Sequence, residues 1–64
     1  MKNIVKRLRK ERGLRQEDMA KALCVSRQTI IAIENNKYNP TLELAMRIAR
    51  LLEMPVEAIF ELES

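Results

Sequence analysis

Residues 16–35, QEDMAKALCVSRQTIIAIEN, decide the fold. Met19, Ala20 and Leu23 recur at helical spacing in the first half of this stretch, and Ile30 and Ile33 do so in the second. Glu17 and Asp18 fall in the first turn of the earlier segment, where the helix dipole favours anions. The later segment starts after Ser26, whose hydroxyl is suited to capping it. Only Cys24, Val25 and Ser26 separate the two segments. Helices expected over about 16–23 and from 27 to about 35 therefore meet at a steep angle across a tight corner and do not lie antiparallel.

Outward from this corner, apolar residues keep the three- and four-residue spacing, strict alternation is scarce, and Gly13 is the only glycine. Ile4, Val5 and Leu8 share one face of a first helix expected over about 3–12, with Lys2, Lys6, Arg7 and Lys10 on the solvated face. Gly13, free to take the left-handed conformation, ends it. Asn35 and Asn36 end the third helix, since Asn best replaces Gly in that conformation. Thr41 is placed to cap a fourth helix through about Glu53 that is apolar almost all round, an element expected at the centre of the domain or shared with a partner. Pro55 suits the start of a short fifth helix, with Val56, Ile59 and Phe60 packing back. The expectation is an all-α chain of five helices forming one domain over residues 1–64.

With 64 residues, one small core and no appended sensor domain are expected. His is absent and Cys24 is the only cysteine, so neither a metal nor a disulfide staple is available, and packing must hold the chain together. The same shortage argues against an enzyme, because no triad, phosphate loop or metal cluster can be assembled. No cofactor and no small-molecule ligand are expected. A hydrophobic fraction of 47% with 33% charged residues suits a folded chain better than a disordered one. Residues 1–37 carry ten Lys and Arg against four acids, whereas the remainder carries two against five, so a polyanion would sit on the first half. The longest apolar run, Ile30 to Ile33, is far too short to span a bilayer, and a soluble, cytoplasmic protein is expected.

Gln16 at the start of helix two, Ala20 at the helix crossing, Val25 in the turn, and then Ser26, Arg27, Gln28, Thr29, Ile30, Ile33 and Glu34 resemble the Xre/Cro-like helix-turn-helix regulators, which include phage repressors. The continuation through Asn36, Lys37, Tyr38, Asn39 and Pro40 to Leu42, Glu43, Leu44 and Ala45 is similar to the short stand-alone members of the cytolysin-operon repressor type. The resemblance covers nearly the whole chain to Phe60. It implies a lambda-repressor-like five-helix domain whose helix-turn-helix lies at about 16–35.

If Ile30 and Ile33 face inward, Arg27, Gln28, Ile31, Ala32 and Asn35 lie outward on helix three. That face is the one the motif lays in the major groove. Arg27 is expected to read guanine and Gln28 adenine, each bidentate contact being worth about 1–3 kcal/mol of discrimination. Ile31 and Ala32 either touch thymine methyls or simply fill the helix. The resemblance makes Gln16 a phosphate ligand, and Thr29, Asn35, Lys37 and Tyr38 are further phosphate candidates. Lys37 is equally compatible with a solvated loop charge, and Tyr38 with a packing residue whose hydroxyl is wet. The resemblance also implies a partly buried ion pair between Arg9 and Glu34. Two positions depart from the family pattern. Cys24 stands where Gly is usual, so either Cys takes a positive φ or the turn is made differently. Arg15 stands where a Ser or Thr cap is usual, so the first turn of helix two is open to fraying.

These residues predict a sequence-specific regulator, a repressor, working as a homodimer on a two-fold symmetric double-stranded DNA operator with half-sites about 34 Å apart. An antitoxin or protein-interaction module of the same fold is the alternative, disfavoured by the basic and amide residues on the outward face of helix three. The dimer interface is expected over about 51–64, through Leu51, Ile59, Phe60 and Leu62. The tail from Glu61 is too short to promise an additional intersubunit strand.

Overall fold

The computed structural model describes residues 1–62. Among them, five helices follow one another: α1 (Val5–Glu11), α2 (Gln16–Leu23), α3 (Arg27–Glu34), α4 (Leu42–Leu52) and α5 (Val56–Ile59). Two short strands bracket this set, β1 (Lys2–Asn3) and β2 (Phe60–Glu61), paired antiparallel with Lys2 opposite Glu61 and Asn3 opposite Phe60. The Ile4 amide extends the ladder by donating to the Ile59 carbonyl at 3.0 Å. The first helix thus begins two residues later than its apolar spacing predicts, because Lys2 and Asn3 find partners in β2. Two-residue strands have no periodicity of their own to see. Among the described residues no helix is long and apolar enough to cross a membrane.

One core joins all five helices. Val5 and Leu8 come from α1, Met19, Ala20 and Leu23 from α2, Ile30 and Ile33 from α3, Leu44, Ala45, Ile48, Ala49 and Leu52 from α4, and Ile59 from α5, with Phe60 following. Fully burying a Leu, Ile, Met or Val side chain contributes about 1.5–3 kcal/mol, so this set opposes the chain entropy of a small domain without any covalent staple. Ile59 and Phe60, expected at a dimer interface, are buried within the chain itself. Of the other two residues expected there, Leu51 is half-buried and Leu62 is exposed. Glu63 and Ser64, the end of that expected region, lie outside the described residues.

Four of the helices close in the same way. The residue after the last turn adopts the left-handed conformation, at Gly13 (φ 70°), Cys24 (φ 58°), Asn36 (φ 60°) and Glu53 (φ 56°). The next amide reaches back five residues: Leu14 to the Arg9 carbonyl, Val25 to Ala20, Lys37 to Ala32 and Met54 to Ala49, at 2.9–3.1 Å. Such a closure satisfies carbonyls the helix leaves unpaired and turns the chain sharply. Cys24 therefore resolves the first departure from the family pattern by taking the positive φ itself. The N-termini follow the sequence more directly, with the Ser26 hydroxyl accepting from the Thr29 amide at 3.2 Å and the Thr41 hydroxyl from the Leu44 amide at 3.2 Å.

Candidate nucleic-acid interface

The corner between α2 and α3 sets the geometry of the site. Ile30 and Ile33 point into the core, which leaves Arg27 and Gln28 exposed at the N-terminal end of α3 and Asn35 exposed at its other end. Ile31 and Ala32, on the same outward side, are half-buried. Lys37 and Tyr38 are exposed in the loop that follows. Thr29 is half-buried, its hydroxyl 3.0 Å from that of Ser26, so it belongs to the cap of α3.

A chain of polar contacts runs from the interior to this surface. Arg9 on α1 donates through Nε to Glu34 Oε2 at 2.6 Å and through Nη2 to Glu34 Oε1 at 3.3 Å. Its Nη1 donates to the Leu14 carbonyl at 2.7 Å. The Arg9 and Glu34 side chains are 8% and 2% exposed, so the two-pronged pair, with its further hydrogen bonds, satisfies both charges where water cannot. Gln16 Nε2 also donates to Glu34 Oε1, at 3.2 Å, and Gln16 Oε1 accepts from Arg27 Nε at 3.4 Å. The amide of Gln16 therefore links the buried carboxylate to the exposed guanidinium. With Nε occupied, the two terminal nitrogens of the exposed Arg27 side chain have no hydrogen-bond partner among the described residues, and they form the edge that can make a fork with a guanine. Among the described residues the second hydrogen on Gln16 Nε2 has no partner. The residues of this chain stand far apart in sequence, and only the fold brings them together.

The start of α2 is held differently from the expectation. Arg15 supplies no hydroxyl, but Asp18 reaches back: its carboxylate accepts from the Arg15 amide at 2.9 Å and from the Arg15 guanidinium at 3.1 Å. Glu17 adds a contact to Arg15 at 3.0 Å. The first turn is therefore tied, not frayed. Arg15's side-chain hydrogen bond, and then its backbone N–H, hold the Asp18 carboxyl below the usual carboxylate range. The hydrogen bond to Asp18, with the charges of Asp18 and Glu17, raises the Arg15 guanidinium in turn.

Asn3 is a functional support that sequence reading missed. Its side-chain amide donates to the Ile33 carbonyl at 2.8 Å and to Asn36 Oδ1 at 3.1 Å, while its Oδ1 accepts from the Val5 amide at 3.1 Å. One residue thus holds the first amide of α1 and fastens the end of α3 to the β pair. An Asn just ahead of an apolar run, whose side chain can bond the backbone two residues on, was there to be read. The tie to α3 depends on a contact 30 residues away and had no local sign.

The geometry so far is that of a helix-turn-helix whose second helix presents Arg27 and Gln28 at the N-terminal end of its outward face, the part this motif lays in the major groove. A Helix-turn-helix family model matches residues 5–59, and the chain belongs to the Xre/Cro-like helix-turn-helix family of DNA-binding transcriptional regulators. It is 55% identical over 60 residues to an HTH-type transcriptional regulator of Methanocaldococcus jannaschii, covering 94% of this chain and 91% of that one. It is 44% identical over 63 residues to the HTH-type transcriptional regulator YgzD of Bacillus subtilis, covering 98% and 96%. It is also 39% identical over 56 residues to the ImmF control region 10 kDa protein of Bacillus phage phi105, covering 88% of this chain and 62% of that one.

Proposed function

We propose that this regulator is a repressor that binds a two-fold symmetric operator as a homodimer in the cytoplasm, with α3 of each copy in the major groove. The observation that carries the reading is the hydrogen bond from Arg27 to Gln16, which ties down an exposed guanidinium at the end of α3 that meets base edges in this motif. Arg27 reads guanine and Gln28 reads adenine, while Ile31 and Ala32 lie against thymine methyls. Gln16, Thr29, Asn35, Lys37 and Tyr38 hold phosphates and so fix the register without reading sequence. Two copies are needed because one helix reads only a short half-site. Half-sites one turn apart, about 34 Å, let both α3 helices enter the same face of the duplex. Repression follows from occupancy, since a bound dimer excludes other proteins from the duplex it covers.

The test is selection of a random duplex library by the protein at two salt concentrations, with Arg27→Ala and Gln28→Ala in parallel. Enrichment of a two-fold symmetric sequence is expected, with preference at one base position per half-site relaxing by about 1–3 kcal/mol in each variant. Salt-sensitive binding with no enriched sequence would sink the reading and favour a protein-interaction module.

A further inference from the structure

We infer that the outer face of α4 is the surface through which two copies of this chain meet, an inference that rests on the homodimer reading above and gives it a place. Leu42 and Met46, one helical turn apart, are 74% and 55% exposed. A single exposed Leu is ordinary, but these two adjoin and border a shallow groove shared with Glu43, Arg47 and Arg50. At 100° per residue, Met46, Arg50 and Glu43 fall along the middle of the exposed face, with Leu42 and Arg47 at its margins. The tail cannot supply an equal surface from the residues described, because Ile59 and Phe60 are used in the chain's own core and leave Leu62 standing alone.

The charges on this face are what select a second copy as the occupant. Glu43 lies toward the N-terminal end of α4 and Arg50 toward the C-terminal end. Pairing of two such helices antiparallel, about a two-fold axis passing between Met46 and Arg47, sets Met46 beside its own copy and places Glu43 of each chain opposite Arg50 of the other. The two cross-contacts are identical, as an isologous interface requires. Among the described residues Arg50 has no acidic partner, whereas Glu43 is bound through Oε2 to Arg47 at 2.8 Å and keeps its other oxygen. A foreign partner would have no reason to meet an order of charges that is complementary to itself.

Area then sets the strength. α4 is 11 residues long, roughly 16 Å, and one face of it covers a few hundred Å², well short of the roughly 800 Å² per partner of a stable interface. The contact is therefore weak between free chains and closes when two copies occupy neighbouring half-sites, where the local concentration of each about the other is in the millimolar range.

The experiment uses Glu43→Arg, Arg50→Glu and their equimolar mixture. Each variant alone sets like charges against each other twice across the two-fold, while the mixed pair restores both attractions. Sedimentation equilibrium from micromolar to millimolar concentration should show weak dimerisation of the parent, on the order of tenfold weaker association of each variant alone, and recovery in the mixture. On the two-fold symmetric duplex, cooperative occupancy should follow the same order, while binding to a duplex with a single half-site stays at the parental level in all three. A parent that is monomeric throughout and occupies both half-sites independently, variants that associate like the parent, or a mixture that does not recover would overturn the inference. Loss of single-half-site binding would count instead against the DNA reading, and the sedimentation result stands without DNA.

Discussion

Two arginine–carboxylate contacts flank the start of α2, and they differ in almost nothing except where they lie. Arg9 meets Glu34 at 2.6 Å and Arg15 meets Asp18 at 3.1 Å, each with a guanidinium that touches both carboxylate oxygens. The first pair has side chains 8% and 2% exposed, the second 73% and 35%. In water, each ion of the outer pair loses little when its partner leaves. Inside, removing one partner strands a charge where nothing replaces it. The lesson is that distance does not rank these contacts; burial does. The inner pair also carries a task the outer one lacks, because Glu34 holds Gln16, and Gln16 holds Arg27.

The largest expected effect is at Glu34. Glu34→Ala should lower unfolding free energy by roughly 3–5 kcal/mol, measured by thermal or urea denaturation, whereas Asp18→Ala should fall at the small end of the scale for exposed pairs. Equal losses at the two sites would show that burial does not rank the two pairs. A paired replacement, Arg9→Met with Glu34→Leu, separates stability from reading. Replacing both charges with apolar groups of similar volume should return most of the stability, since neither ion is left alone. Gln16 would still lose its anchor, so discrimination at the base read by Arg27 should remain weakened in a folded protein.

The helices of this site were legible in the sequence, and its long-range contacts much less so. Met19, Ala20 and Leu23, then Ile30 and Ile33, announced α2 and α3 because a 3.6-residue period survives any tertiary context. Ser26 and Thr41 announced their caps because hydroxyls suit that position. The exposed side of α3 followed from its buried side. The Gln16 bridge and the reach of Asn3 to Ile33 had no local signal, since each joins residues 11 or more positions apart. The β1–β2 pairing was missed for the same reason. Ile59 and Phe60 were legible both as packing back on the chain and as facing a second copy; they lie in the chain's own core, because sequence pattern marks a side chain as buried without saying by what. Leu42 and Met46 show the converse: a helix apolar almost all round left two of its residues outside.

Between the two contacts the chain turns at Cys24, a corner that carries its own backbone cost. A non-glycine residue in the left-handed region costs about 1–2 kcal/mol, and glycine removes that cost while losing about 0.5–1 kcal/mol to unfolded-chain entropy. With φ at 58°, Cys24→Gly should therefore stabilise the fold by up to about 1 kcal/mol in urea denaturation, with unchanged DNA preference. Destabilisation would mean that the Cys24 side chain, exposed as it is, contributes something its surroundings do not suggest.

The smallest effect belongs to the outer pair and depends on pH. The Asp18 carboxyl sits below the ordinary value near 4 because Arg15's guanidinium and amide favour its charged form. A group whose folded value is depressed releases its proton more readily in the folded chain. Its contribution is therefore complete above the ordinary carboxylate value and is lost as pH falls through the depressed one. Amide hydrogen exchange in the first turn of α2 should show the parent better protected than Asp18→Ala at neutral pH, with the gap narrowing only in acid below the ordinary value. Added salt should narrow it too, since the pair is exposed and its attraction is screened. A gap that stayed constant into strong acid would mean that the Asp18 charge does nothing for α2. The turn would then be held by a neutral hydrogen bond alone, and the outer pair would differ from the inner one in kind and not only in burial.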